Sequence, residues 1–214
     1  VSIDVNGGSS AKDVAASITS RLSETGVSAT AHTRLNISFE EEPNGTQKTD
    51  TVSFNVYGKN TAPVLISANV DFGETNGRGA DLTDLAAAIN GTTGKTGIAA
   101  SLSIDKSTLT MISNDGYDIA TEDYRLVAVQ GPAMLVSGAN EDNTSVTGTN
   151  SANVIFDALK LEPGTDTSTH PNSAQVSGQV TFRSPFIFSV KSDNIGTSSA
   201  PDLMAPKVPY QSVG

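Results

Sequence analysis

The chain has 214 residues, 36% hydrophobic and 5% aromatic with no tryptophan, so its core must be thin and built from Ala, Val, Ile and Leu, as suits small repeated units. Thirteen basic against 23 acidic residues give a net charge of −10, a surface that repels phosphate backbones and excludes nucleic acid as a partner. There is no cysteine, which excludes disulfides and thiolate metal or redox sites, and no apolar run approaches the roughly 20 residues of a membrane-spanning helix.

Val1, Ile3 and Val5 alternate with polar residues, which predicts a strand over Val1–Asn6 closed by Gly7-Gly8. Ser10 then caps a helix whose buried stripe is Ala11, Val14, Ala15, Ile18 and Leu22, ending at Gly26. Val27, Ala29, Ala31, Leu35, Ile37 and Phe39 keep one odd-numbered phase and predict a long strand. Glu40–Gly45 is a charged hairpin tip with an Asn-Gly turn, and Val52, Phe54 and Val56 return as the partner strand.

Asn60–Pro63 breaks the pattern, and Leu65–Phe72 is the next strand, followed by a loop over Gly73–Gly79. Leu82, Leu85, Ala86 and Ile89 lie on one face of a helix. Asp81 caps it, Asp84 favours its first turn and Asn90-Gly91 stops it. Ile98, Ala100, Leu102 and Ile104 alternate as a strand, and Asp105-Lys106 turns the chain. Leu109 and Met111 share one face of the return strand, Asn114-Asp115-Gly116 turns again, and Tyr124–Val129 is another strand.

Beyond Gly131 the pattern changes. Asn140–Asn153 and Leu161–Asn172 read as long polar loops. Val154–Leu161, Val176–Phe182 and Phe186–Val190 read as strands, with Pro185 marking an edge or bulge. Pro201, Pro206 and Pro209 make Ile195–Gly214 an extended tail. Both ends of the chain look like interior sequence, so a piece of a longer protein is expected.

The two helical stretches are copies of one device. Ser10–Ile18 aligns on Asp81–Ile89 at an offset of 71 residues, and Thr25–Ala29 aligns on Thr96–Ala100 at the same offset. A shift held without a gap through cap, helix, stop and strand marks an internal repeat. The strand before the helix aligns at an offset of 67, with the extra residues in the loop Gly73–Gly79.

These residues carry a family resemblance. DLAAAINGTTGKTGIAASLS followed by LTMISNDGYDI resembles the "IN" repeat of the variable central region of bacterial flagellins. The copy over Val64–Ile119 matches well. The first copy is looser, with Thr19 and Ser20 standing where Asn90 and Gly91 are. Gly178–Val190 resembles the strand pair that leads such regions back to the filament core. The resemblance implies a structural, extracellular part of the flagellar filament subunit, exposed and antigenic, without catalysis, cofactor or metal. Its partners would be other flagellin subunits, through terminal core domains outside this chain, and host receptors or antibodies at exposed loops. It also implies that Val1 and the stretch near Val190–Gly214 lie close together.

The expected fold class is α+β: two β-α-β-β repeat units, each with a helix packed on a small antiparallel sheet, plus a mostly-β C-terminal part. The first unit spans residues 1–62, the second 63–130, the mostly-β segment 131–192 and the tail 193–214.

No stretch carries a catalytic pattern. His32 falls in a strand and His170 in a loop, and neither H-E-x-x-H nor G-x-S-x-G occurs. Gly94-Lys95-Thr96 fails as a phosphate loop, because Ile89 stands where the first glycine belongs and a helix precedes a strand. Asn114–Asp118 lacks the alternating acids and closing glutamate of an EF-hand and reads as a turn. N-x-[ST] occurs at Asn36, Asn44, Asn90 and Asn143, and Thr144–Thr149 and Thr165–Thr169 offer hydroxyls for the O-linked sugars that the resemblance would allow. The alternative function is a cell-surface or phage adhesin that binds glycans. Its signature would be exposed aromatic rings beside polar groups, against which four tyrosines and no tryptophan speak weakly.

Overall fold

The computed structural model describes residues 1–40, 49–72, 79–127, 132–138, 146–148, 159–164 and 172–191. Helices are α1 (Ala11–Thr19), α2 (Leu22–Thr25), α3 (Thr83–Gly91) and α4 (Thr93–Thr96). Strands are β1 (Ser28–Phe39), β2 (Thr49–Tyr57), β3 (Val64–Asp71), β4 (Ala99–Leu102), β5 (Leu109–Ser113), β6 (Ile119–Leu126), β7 (Met134–Gly138), β8 (Val146–Gly148), β9 (Leu159–Leu161), β10 (Ala174–Val176) and β11 (Gln179–Arg183). The fold is a strand-rich α+β arrangement of two antiparallel sheets.

One sheet runs β4-β5-β1-β7-β9, with β11 also paired to β1; the other runs β3-β2-β6-β10-β8. Alternation gives each strand one apolar side. Leu35, Ile37, Leu109, Met111, Met134 and Val136 supply it in the first sheet, and Val52, Phe54, Val56, Ile66, Ile119 and Tyr124 in the second. All belong to one core cluster, so the sheets bury their apolar faces together. Helix α3 packs on β3 and β4, the outer strands of the two sheets, and closes that side with Leu82, Leu85 and Ile89 fully buried.

The helix-turn-strand device recurs in its hydrogen bonds as well as its sequence. Thr19 Oγ1 accepts from Ala29 N (3.0 Å) and donates to Ala29 O (3.1 Å). Asn90 Oδ1 accepts from Ala100 N (2.8 Å), and its Nδ2 donates to Ala100 O (3.0 Å). Thr25 Oγ1 donates to Arg21 O and accepts from Val27 N, as Thr96 Oγ1 does with Thr92 O and Ile98 N. Gly26 and Gly97 end the short helices α2 and α4 at φ +67° and +71°, where a side chain is disfavoured. Each of these pairs is 71 residues apart. Asn90→Ala is expected to lower stability by about 1–2 kcal/mol through two lost bonds. Asn90→Thr should lose less than half as much, since Thr19 makes the same pair of bonds. Urea unfolding of the three chains checks both.

Several expectations are corrected. Val1–Asn6 forms no strand, and Val1 and Val5 are exposed, because their alternation finds no sheet edge to join. Helix α1 stops at Thr19, so Leu22 falls on the separate turn α2 and is exposed, while Ala11, Ala15 and Ile18 are buried. Residue Ser10 does cap α1, its hydroxyl accepting from Asp13 N while the Asp13 carboxylate accepts from Ser10 N. Asp81 stands one residue before the cap position of α3 and accepts from Thr83 N and Oγ1. Ile104 lies beyond β4 and is fully exposed.

Strand β2 is not the partner of β1. β1 pairs with β5, β7 and β11, while β2 pairs with β3 and β6. Two alternating strands can pair side by side or face each other across a core, and their apolar faces are equally satisfied either way. The boundaries at 62/63 and 130/131 therefore separate no bodies: each sheet mixes strands from all three segments. The expected hairpin tip over Glu40–Gly45 lies outside the described residues from position 41 on.

The strand expected at Tyr124–Val129 starts earlier, at Ile119, and β7 and β8 form where no strand is expected, β8 falling inside the expected polar loop. The strand expected at Val176–Phe182 is broken. The chain leaves the second sheet at Val176 and joins β1 from Gln179 on. Gly178 makes the crossing possible, since a Cβ there would lie 2.4 Å from Thr33 Oγ1 and 2.8 Å from Ala11 Cβ. Phe186–Val190 pairs with no strand among the described residues, and Phe186, Ile187, Phe188 and Val190 are exposed. Of Val154–Leu161 only β9 is described, and the expected tail lies outside the described residues.

Candidate functional site

The second sheet buries Ile119, Thr121, Ala174 and Val176, so period two turns Asp118, Ala120, Glu122 and Gln175 to its outer side. Register then sets the neighbours. Ala120 on β6 stands opposite Tyr57 on β2 and opposite Gln175 on β10. A small methyl thus lies between a phenol ring and an amide. The start of α1 rises beside this row with Gly8, Ser10 and Asp13, and Tyr117 leads into β6. Together with Gly58 these residues line an open cleft of about 410 Å³.

The polar groups of the cleft are tied to one another. The Tyr57 hydroxyl is hydrogen-bonded to Glu122, which with partial burial raises its pKa above the ordinary phenol value. Asp118 Oδ1 accepts from Gly178 N (3.4 Å) and Oδ2 from Gln175 Nε2 (3.1 Å). Lys12 Nζ donates to the Tyr117 hydroxyl and lies 4.0 Å from that ring's centroid, and the hydrogen bond raises the lysine's pKa. Asp13 is bonded to Ser10 in the helix cap.

Burial pushes the Asp118 carboxyl above its ordinary value, against the two hydrogen bonds that favour its charged form. An acid whose pKa is higher in the folded than in the unfolded chain stabilises the fold only at low pH. That contribution fades as pH rises from the ordinary aspartate value through the raised one, leaving a penalty at neutral pH. Asp118→Asn is therefore expected to raise Tm at pH 7, with the gain shrinking as pH falls through the raised value and gone below the ordinary aspartate value of about 4. Melting curves of both chains over that range check it.

Among the described residues the remaining sequence motifs build no site. His32 is half-buried on β1, opposite Gln179, and His170 lies outside the described residues. Gly94-Lys95-Thr96 forms the single helical turn α4, with Thr96 buried and its carbonyl accepting from Lys59 N. Asn114-Asp115-Gly116 is the expected turn, but Asp118 just after it belongs to the cleft. Asn36 accepts from Thr110 Oγ1, and Asn90 holds Ala100, so both side chains are engaged within the fold. Asn44, Asn143 and the Thr165–Thr169 hydroxyls lie outside the described residues, as do the side chains of Thr144–Thr149. Among the described residues no three His, Asp or Glu side chains are grouped to hold a metal ion, and no helix is long and apolar enough to cross a membrane.

No model of a known protein family matches the chain, and no curated protein is significantly similar to it.

Proposed function

We propose that this chain is the surface-exposed variable region of a flagellin, the subunit of the bacterial flagellar filament, and that its role is structural. In this reading it is built on two copies of a helix, a tight turn and a strand, only the second led by a strand (β3), with a mostly-β part added after them. The observation that carries it is the repeated device. Three kinds of backbone anchoring, by Thr19 and Asn90, Thr25 and Thr96, and Gly26 and Gly97, recur at one fixed spacing in the stretches that resemble flagellin IN repeats.

Two further features support the reading. Helix α1 and strand β11 both pack on β1 and touch each other, so the first helix and the last described strand lie side by side, as suits a projection tethered through both of its flanks. The net charge of −10 keeps neighbouring projections apart in a crowded polymer. The domain performs no reaction and needs no cofactor. It faces the extracellular medium, reaches other subunits through core domains outside this chain, and meets antibodies or host receptors at its loops. Antibodies raised against residues 1–214 should label flagellar filaments along their whole length in immunogold electron microscopy. Labelling confined to the cell body, with bare filaments, would overturn the assignment.

A further inference from the structure

A filament projection has no need of a cleft, yet four parts of the chain far apart in sequence build one on the outer side of the second sheet. We propose that this cleft binds a neutral saccharide, its ring laid over Ala120 between Tyr57 and Gln175. The saccharide's hydroxyls donate to the carboxylates of Asp118 and Glu122, and a C–H face rests on the Tyr57 ring.

The shape comes first. A volume of about 410 Å³ is in the range of small-molecule sites, and the cleft is open along the sheet instead of closing over a point. Its floor is the one small side chain in the row Tyr57, Ala120, Gln175, so a flat ring can lie between two taller groups. Saccharides have such a shape, with apolar C–H faces that stack on aromatic rings and polar edges.

The polar inventory narrows the chemistry. Asp13, Asp118, Glu122 and the Gln175 carbonyl offer acceptors, and each carboxylate keeps lone pairs beyond its internal bonds. The ligand must therefore bring several donors. Three carboxylates in the lining repel a negative charge, which excludes sialic and uronic acids. The acids are divided between helix α1 (Asp13) and the sheet side (Asp118, Glu122), with no three grouped for a metal ion among the described residues, so a point cation has no nest there. A polyol matches acceptors spaced along a groove.

The site is also preorganised. The Tyr57 hydroxyl is fixed on Glu122, the Gln175 amide on Asp118, and the Tyr117 ring is held by Lys12. Groups fixed before binding lose little freedom when a ligand arrives. A half-buried carboxylate at Asp118 disfavours the fold at neutral pH, a cost that a ligand-binding role would account for.

The test is an amide NMR titration of the 214-residue chain with chitotriose, maltotriose and mannotriose, and in separate arms with sialyllactose and with spermidine. A neutral trisaccharide is expected to shift the amides of Gly58, Asp118, Ala120 and Gln175 with a Kd of about 1–10 mM, weak as befits an open site. Tyr57→Ala and the exposed Gln175→Ala should each weaken binding by about tenfold while the spectrum stays dispersed. The inference is overturned if no neutral trisaccharide moves those amides up to about 20 mM, if sialyllactose binds as well as they do, or if only spermidine binds.

Discussion

Tyr124→Ala is expected to lower the unfolding free energy by about 3–5 kcal/mol, enough to leave much of the chain unfolded at moderate urea. Tyr124 is fully buried on β6 and is among the largest side chains in the core. Its ring lies 6.2 Å from that of Phe39, which in turn meets Phe72 edge-on at 5.2 Å. This aromatic cluster joins β1 of one sheet to β6 of the other, in a protein with few rings to spare. The hydroxyl donates to Pro132 O at 2.7 Å, its backbone N–H donates to Asn172 O, and its carbonyl accepts from Gly164 N. One residue thus holds the chain before β7, the approach to β10 and the stretch after β9. Tyr124→Phe separates ring from hydroxyl and should cost about 1–2 kcal/mol, since the Pro132 carbonyl is then left unpaired in the core. Burial also pushes the Tyr124 hydroxyl's pKa well up. The unfolded chain then releases this proton first, so stability should fall as pH rises above about 10. In Tyr124→Phe that contribution to the alkaline loss should be absent. Urea midpoints at neutral and alkaline pH read all of these.

Gly116→Ala is the second large effect, expected at about 2–4 kcal/mol from backbone strain and overpacking together. Gly116 adopts φ +77° in the turn after β5. A Cβ there would lie 2.3 Å from the Ala31 Cβ and 3.0 Å from its carbonyl carbon, so backbone would have to move. The same glycine's carbonyl accepts from Lys12 N, which ties the start of α1 to the turn. Gly8→Ala is the control: its φ is +82°, but a Cβ would meet nothing within 4 Å, so only strain of about 1 kcal/mol is expected. Adding Ala31→Gly to Gly116→Ala should relieve the 2.3 Å clash with the Ala31 Cβ and leave the strain together with the 3.0 Å contact to the Ala31 backbone. A thermal-melt series of the four chains separates the two terms.

What the sequence made legible was local. The face of α3, the strand β3, the buried side of β5 and the turns at Lys106 and Gly116 follow from spacing and turn chemistry within a few residues. Lys106 has φ +66°, with Asp105 accepting from Ser103 and Ser107 around it. What was not legible depends on partners. The alternation of Val1–Asn6 and Phe186–Val190 matches that of β1, but only β1 finds neighbours on both sides. The choice between β2 as hairpin mate and β2 as facing strand is made by the other sheet members, and no residue in either strand encodes it. The cleft has no local signal either. Tyr57, Ala120 and Gln175 meet because β2, β6 and β10 pair in one register, which also brings Tyr57 to the same cleft as Tyr117.

On the proposed role, this region is carried by a filament and does not hold it together. Cells whose chromosomal gene lacks the codons for residues 1–214 should be imaged by electron microscopy beside their parent. Filaments of ordinary length but smaller diameter are expected. Cells without filaments, or filaments unchanged in diameter, would contradict it.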